Sequence, residues 1–357
     1  MLHGFPRLRH PIVQAPMAGG PSTPTLAAAV SEAGGLGFLA AGYKRPDELQ
    51  ADIRRTRVLT SAPVGVNLLL MAETPVDRAR LTAYARLIKP DAHRHRVALG
   101  EPHFDDDSFA AKLDVVCRER PSITSVAFGC PAPEVVERLH EREIAVWVTV
   151  TEADEALLAT DAGADALIVQ GVEAGGHRGS FQDADGYGEI GLLALLQLVA
   201  RASELPLIAS GGIADGAAVA AVIAAGARAA QIGTAFMRCP EAATSDPHRD
   251  ALTRPTPTAL TRAFSGRRAR GIVNAFMRDH STHAPTAYPH VLHLTAPLRA
   301  AARKAGDADA LNLWAGQAHQ LAQDRPAAEL VRRWSAEAHA AIEHAHTRLT
   351  APIDHLT

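Results

Sequence analysis

The sequence predicts an α/β protein, a (β/α)8 TIM barrel with an additional helical lid at its C-terminal end. Three observations lead there. Short, β-branched apolar runs alternate with amphipathic stretches at spacings of about 20 residues, the pattern of buried parallel strands with crossover helices. Eight such runs precede about residue 240, and eight favours closure over an open doubly wound sheet. No G-x-G-x-x-G follows the first of them, which counts against a dinucleotide fold.

In order, Ile12-Val-Gln-Ala15 is the first strand and stops at Pro16-Met17-Ala18-Gly19-Gly20. A helix over 25–33 ends at Gly34-Gly35, where glycines stop helices. Leu36-Gly-Phe-Leu39 is the second strand, and Pro46 opens a charged amphipathic helix over 47–57. The third strand, 64–69, puts Asn67 where a barrel strand meets its loop. From 71 to 108 the chain is polar, rich in His and Arg, and carries the run Asp105-Asp106-Asp107, so an excursion off the barrel is expected. Helix 109–120 and strand 125–128 resume the alternation, followed by helix 133–142, strand 144–150 and helix 152–161. Strand 166–169 then breaks into a polar loop holding Gln170, Glu173, Gly175, Gly176, His177 and Arg178. Helix 192–202, strand 207–210, helix 217–225 and strand 229–232 complete the set.

Beyond 240 the strand signal fades, and 297–304, 311–322 and 327–349 read as amphipathic helices. The expected division is a barrel over 1–240, with its excursion at 71–108, and a mainly helical lid over 241–357. Arg262, Arg267, Arg268 and Arg270 are expected to form a solvated face, with some attraction for an anionic substrate. His339, His344 and His346 have no acidic partner in register and are read as exposed, so no metal site is expected.

Composition narrows the class. Hydrophobic residues make up 47% and aromatics 4%, ample core for helices on a sheet, and a net charge of −3 gives no reason to expect nucleic acid or an anionic membrane. The cysteines, Cys117, Cys130 and Cys239, form neither a CxxC pair nor an even framework. The N-terminal stretch lacks a signal peptide's apolar core, and no apolar run reaches the roughly 18 residues a membrane span needs. A cytoplasmic, soluble protein is therefore expected.

Barrels bind ligands at the C-terminal ends of their strands. The turns Ser210-Gly211-Gly212 and Gln231-Ile232-Gly233-Thr234 lie after strands seven and eight. There barrels build phosphate sites from backbone N–H groups and a helix N-terminus. Either turn alone would serve a tight connection; the adjacent pair points to phosphate. Asn67 and Gln170 carry amides that donate and accept, suited to the edge of a flavin ring. The apolar turn Pro16-Met17-Ala18 would cover one ring face, and Gly175 and Gly176 let the backbone approach a ligand closely. FMN fits this set, with one phosphate and no acidic residue placed for a dinucleotide ribose. His177 titrates near neutral pH and is the candidate catalytic residue, whereas Arg178 is expected to face outward.

Several motifs together resemble the nitronate monooxygenase family. They are Pro11-Ile-Val-Gln-Ala-Pro-Met-Ala-Gly19, Gly65-Val-Asn67, Gln170-Gly-x-Glu-Ala-Gly-Gly-His-Arg-Gly179, Ala209-Ser-Gly-Gly-Ile213 and Gln231-Ile-Gly-Thr234. Asp105-Asp-Asp-Ser-Phe, Phe264-Ser-Gly-Arg-Arg-Ala-Arg-Gly271 and Leu313-Trp-Ala-Gly-Gln317 resemble its class I branch. The resemblance implies FMN bound through Asn67, Gln170, Gly175, Gly212 and 231–234, with His177 catalytic. It implies oxidation of alkyl nitronates, propionate 3-nitronate among them, by O2 to a carbonyl compound and nitrite. Two alternatives stay open at this point. One is an NAD(P)H-dependent FMN reductase of the same fold, acting on enoyl or quinone substrates; the other is a flavin-binding partner protein without turnover. Assembly as a homo-oligomer is also open.

Overall fold

A computed structural model describes residues 4–350. The ends of the expected barrel (1–3) and lid (351–357) lie outside the described residues. The chain runs β1 (Ile12–Gln14), α1 (Pro24–Glu32), β2 (Gly37–Ala40), α2 (Pro46–Leu59), β3 (Val64–Leu69), α3 (Arg78–Arg94), α4 (Phe109–Glu119) and β4 (Ile123–Ala127). It continues through α5 (Pro133–His140), β5 (Ala145–Val150), α6 (Ala153–Asp161), β6 (Ala166–Gln170), β7 (Gly176–His177), α7 (Leu192–Ala202), β8 (Leu207–Ser210), α8 (Gly216–Ala224) and β9 (Ala229–Ile232). After these come α9 (Asp246–Ala251), β10 (Thr258–Thr261), β11 (Ala269–Ile272), α10 (Ala275–His280), α11 (His290–Ala305) and α12 (Ala327–Thr350).

Eight parallel strands form one sheet in the order β1-β9-β8-β6-β5-β4-β3-β2. The two ends of that order meet. Gln14 donates to the Leu36 carbonyl at 2.8 Å and Leu36 donates to that of Ile12 at 3.0 Å, so β1 closes onto the start of β2 and the sheet becomes a barrel. The interior is filled by β-branched and aromatic side chains around Trp147, which is fully buried, stacks on Phe5 at 5.3 Å and donates to the Gly4 carbonyl. Residues of the opposite parity face the helices, where Leu26, Val66, Leu167 and Val219 belong to the larger core. Burial of both faces is why these strands read as continuous apolar runs.

Register fixes the rim. Gln170 pairs with Ser210 and Ser210 with Gln231, while Asn67 lies between Ala40 and Ser125. The polar residues at the strand ends therefore share one level.

Four expectations change. The excursion contains a 17-residue helix, α3, whose Leu81, Tyr84 and Ile88 pack against Leu294 and Leu298 of α11, and Tyr84 donates to the Ala263 carbonyl at 2.6 Å. The C-terminal region holds the β10–β11 hairpin, and β11 pairs antiparallel with β7, so the His177 loop is the third strand of a small sheet. The expected helix at 311–322 is irregular chain with one short 3-10 turn at His319–Leu321, preceded by another at Ala308–Ala310. Its carbonyls and amides are bonded outward, Leu313 accepting from Ile272, Ala315 donating to Arg270 and Gln317 to Glu173, which leaves none of the i to i−4 ladder there. Finally, α12 packs on α8 and α1 along the outer wall instead of over the mouth, with Trp334 against Phe236. No helix among the described residues is long and apolar enough to cross a membrane.

Candidate active site

A cavity of about 370 Å³ opens at the C-terminal rim of the barrel. Pro16, Met17, Ala18, Asn67, Gln170, Gly175, Gly176, His177, Ser210, Gly211, Gly212, Gln231, Gly233 and Thr234 all line it. Ile232 does not. Successive strand residues point to opposite faces, so with Gln231 turned inward Ile232 sits in the core under the helices, 1% exposed.

His177 stands in an aromatic box that the sequence did not reveal. Phe128, Tyr288 and Trp314 meet its ring edge-on, with centroids at 5.9, 5.6 and 5.4 Å. Phe128 follows β4 at φ 77°, a left-handed conformation rare for an aromatic residue, and the Arg267 guanidinium lies 4.1 Å over its ring. The Nε2 of His177 is 2.8 Å from the Ser265 hydroxyl, which itself donates to the Arg267 carbonyl at 3.1 Å. A hydroxyl has one proton, so Ser265 accepts from His177 and Nε2 carries the imidazole hydrogen. Nδ1 has no protein partner among the described residues and remains a free acceptor. Burial, then the positive charges of Arg267 and Arg299, push the His177 pKa down to about 3, so the ring is neutral at physiological pH.

The loop that carries His177 is held by arginines. Arg178, expected to face outward, is 1% exposed. Its guanidinium donates to the carbonyls of Gln170, Gly171 and Gly188 at 2.7, 2.7 and 2.9 Å. Arg267, Arg268 and Arg270 are likewise buried. Arg268 pairs with Asp183 at 3.0 Å and Glu189 at 2.6 Å, Arg262 pairs with Asp183 and Asp185, and Arg270 donates to the Val172 carbonyl. The supposed solvated face is a set of ties between the β10–β11 hairpin and segment 172–189. Buried guanidiniums persist where carbonyls and carboxylates accept from them.

Arg299 is different. From α11 it lines the cavity, bonding Thr295 Oγ1 at 3.0 Å and the Leu292 carbonyl at 2.8 Å, with no carboxylate in reach among the described residues. Burial lowers its pKa to about 10, which leaves it charged near neutrality.

The amides of the rim differ in what they offer. Gln170 spans its own loop, accepting from Gly179 N at 2.8 Å and donating to the His177 carbonyl at 3.2 Å. Asn67 donates to Ser125, leaving its carbonyl oxygen unengaged. The Gln231 amide nitrogen is buried with no acceptor. The backbone amides of Gly212, Gly233 and Thr234 bond no protein acceptor among the described residues. At α8, by contrast, the expected helix N-terminus is already capped by Asp215, whose carboxylate accepts from Ala218 N at 2.8 Å.

A parallel barrel with donors left over at the ends of its last two strands, beside a neutral imidazole in a cavity at its mouth, belongs to the ligand-binding (β/α)8 enzymes. Within that class the family model for nitronate monooxygenase matches residues 5–337, and the chain belongs to this family. It is 41% identical to the nitronate monooxygenase of Pseudomonas aeruginosa over 334 residues, covering 91% of this chain and 95% of that one. The solved structure of nitroalkane oxidase from Streptomyces ansochromogenes is 48% identical, with a TM-score of 0.92, covering 95% of this chain and 98% of the other. FabK from Thermotoga maritima is 27% identical at a TM-score of 0.73, covering 96% of each chain. The protein is thus an oxidoreductase that oxidises nitronates, with a flavin as its cofactor.

Proposed function

We propose that the flavin is FMN, that O2 is the oxidant, and that His177 works at the reacting carbon. The observation that carries this reading is the placement of the unpartnered Gly212, Gly233 and Thr234 amides in the same cavity as His177. A phosphate monoester satisfies such donors through charge-assisted hydrogen bonds. With Asp215 closing α8, the backbone of the two turns would hold the phosphate without the helix N-terminus. The carbonyl oxygen of Asn67 suits a ring N–H, and the orphaned Gln231 amide suits a ring acceptor.

FMN held there would supply the redox chemistry between nitronate and O2. The chain supplies position and protons. Ser265 fixes the imidazole with Nε2–H turned away and Nδ1 free, the arrangement a base needs to take the α-proton of a neutral nitroalkane. Phe128, Tyr288 and Trp314 keep the surroundings dry, and Arg299 and Arg267 provide the positive field for an anion. We also take the region from 241 up to α12 to act as a cover, since Phe264, Ser265, Leu292, Arg299 and Trp314 all reach the cavity.

Anaerobic mixing tests this directly. Propionate 3-nitronate should bleach the yellow flavin absorbance and NADPH should leave it unchanged. Rapid bleaching by NADPH alone would favour the reductase reading, and a protein that binds no added FMN would end the phosphate argument.

The uncompensated charge of Arg299 supports a nitronate bearing a second anionic group. A hydrogen bond to a charged partner contributes about 1.5–3 kcal/mol. Arg299→Gln should therefore raise KM for propionate 3-nitronate by about 10- to 100-fold while changing that for ethyl nitronate little. Equal increases for both would remove Arg299 from carboxylate recognition.

A further inference from the structure

Away from the cavity floor, the excursion meets the cover at a cluster of groups that the proposed chemistry does not use. His103 and Asp105 belong to segment 101–107, and His293 to α11. One potential ligand atom from each lies within 4.8 Å of the other two. The His103 and His293 rings stack at 3.9 Å with 17° between their planes. We propose that His103, Asp105 and His293 bind a divalent transition-metal ion of the zinc type, fastening segment 101–107 to α11.

The hydrogen bonds around the cluster leave the required lone pairs free. His103 Nδ1 is 2.9 Å from the Glu101 carbonyl. A carbonyl only accepts, so Nδ1 carries the hydrogen and Nε2 keeps its lone pair. Metal-binding histidines are oriented by this same kind of backbone bond on the opposite nitrogen. The His293 ring bonds no protein group among the described residues, and its Nε2 is buried without a partner, an orphan of the kind that calls for an explanation. The acidic run is already sorted. Asp107 pairs with Lys112 at 2.6 Å and accepts from Tyr43 N, and Asp106 accepts from Ser108 N. Asp105 accepts from Asp107 N through Oδ1 alone, so Oδ2 is available.

The two sides of the cluster are held together without any ion. Gly100 donates to the Leu294 carbonyl at 2.9 Å, and a Cβ on Gly100 would lie 2.2 Å from the His293 carbonyl oxygen. The backbone there admits only glycine, and that close approach sets the ligands facing one another. Bonds of about 2.0–2.1 Å in a tetrahedron put ligand atoms roughly 3.3 Å apart, and because an imidazole lone pair lies in the ring plane, the stacked His103 and His293 rings must turn out of their stack to aim at one ion. Two imidazoles and one carboxylate favour zinc, nickel, cobalt or copper over magnesium or calcium, with water filling the remaining position. Leu292, next to His293, and Arg299, further along α11, line the cavity, so an ion here would stiffen the cover from outside.

Calorimetric titration of chelator-treated, flavin-loaded protein with zinc chloride tests the proposal. One zinc per chain should bind, and heat resistance should rise with zinc because binding favours the folded state. His103→Ala and Asp105→Asn alter exposed residues and should keep flavin content and metal-free nitronate turnover. Each should weaken zinc binding by more than about 10-fold, the effect already seen when supporting groups around a metal are lost. His293→Ala should do the same from the helix side. Absence of zinc binding, or zinc affinity unchanged in His103→Ala and Asp105→Asn, would overturn the site. The outcome is independent of the FMN reading, which flavin content reports separately.

Discussion

His177→Ala should slow turnover of neutral nitroalkanes by about 10²- to 10⁴-fold, the usual worth of a positioned proton acceptor, while flavin stays bound. The side chain leaves Gly175, Gly176 and the two glycine turns untouched, so flavin content separates loss of chemistry from loss of cofactor. A preformed nitronate has no α-proton to lose and should be slowed much less. Comparable large losses on both substrates would reassign His177 to holding the anion, and unchanged rates would remove it from the reaction. The pH dependence follows from the same burial. With its pKa depressed to about 3 from 6.5, the imidazole stays unprotonated where an ordinary histidine is half protonated, although the same depression weakens it as a base. The acid limb of kcat/KM for a neutral nitroalkane should therefore fall well below pH 6.5. Stability has a linked sign: as pH drops from 6.5 toward 3 the unfolded chain takes up the proton and the folded chain does not, so this group lowers folded stability across that window.

The barrel was legible because burial on both faces writes itself into composition. β3, β8 and β9 stand where the runs 64–69, 207–210 and 229–232 place them, and the glycines after the last two mark the rim. The small sheet was not legible. β7 is two residues long inside a glycine loop, and its partner lies about 90 residues away in an arginine-rich stretch. Arg178, Arg268 and Arg270 read as solvated because hydropathy scores the side chain and cannot see three carbonyls converging on one guanidinium. The helix α3 did carry a signal, since Leu81, Tyr84 and Ile88 recur at helical spacing, but Pro90 and the surrounding His and Arg obscured it. Of the cavity wall, the parts belonging to strand ends could be placed by counting units. Phe128, Ser265, Tyr288, Arg299 and Trp314 arrive from separate segments, and only the folded chain brings them to His177.

The second large effect belongs to Gly212. Its φ is +70°, where a β-branched side chain is strained, and a Cβ there would meet Glu173 Cβ at 3.2 Å. Glu173 cannot move freely, because both its carboxylate oxygens accept from Leu192 N at 3.0 Å at the start of α7. In Gly212→Val the turn must yield instead, and its amide rotates away from the phosphate proposed to sit there. Loss of one charge-assisted hydrogen bond costs about 1.5–3 kcal/mol, so FMN should bind about 10- to 100-fold more weakly. Gly226 supplies the control: it follows α8 at φ +100° with nothing within 4 Å of a built Cβ, so Gly226→Val carries comparable backbone strain far from the cavity. That variant should lose stability and keep its FMN affinity. The measurement is fluorescence titration of stripped protein with FMN, run beside thermal unfolding. If Gly212→Val folds and binds FMN as tightly as the parent, the phosphate does not lie on this turn, and the donors at Gly233 and Thr234 would have to hold it alone.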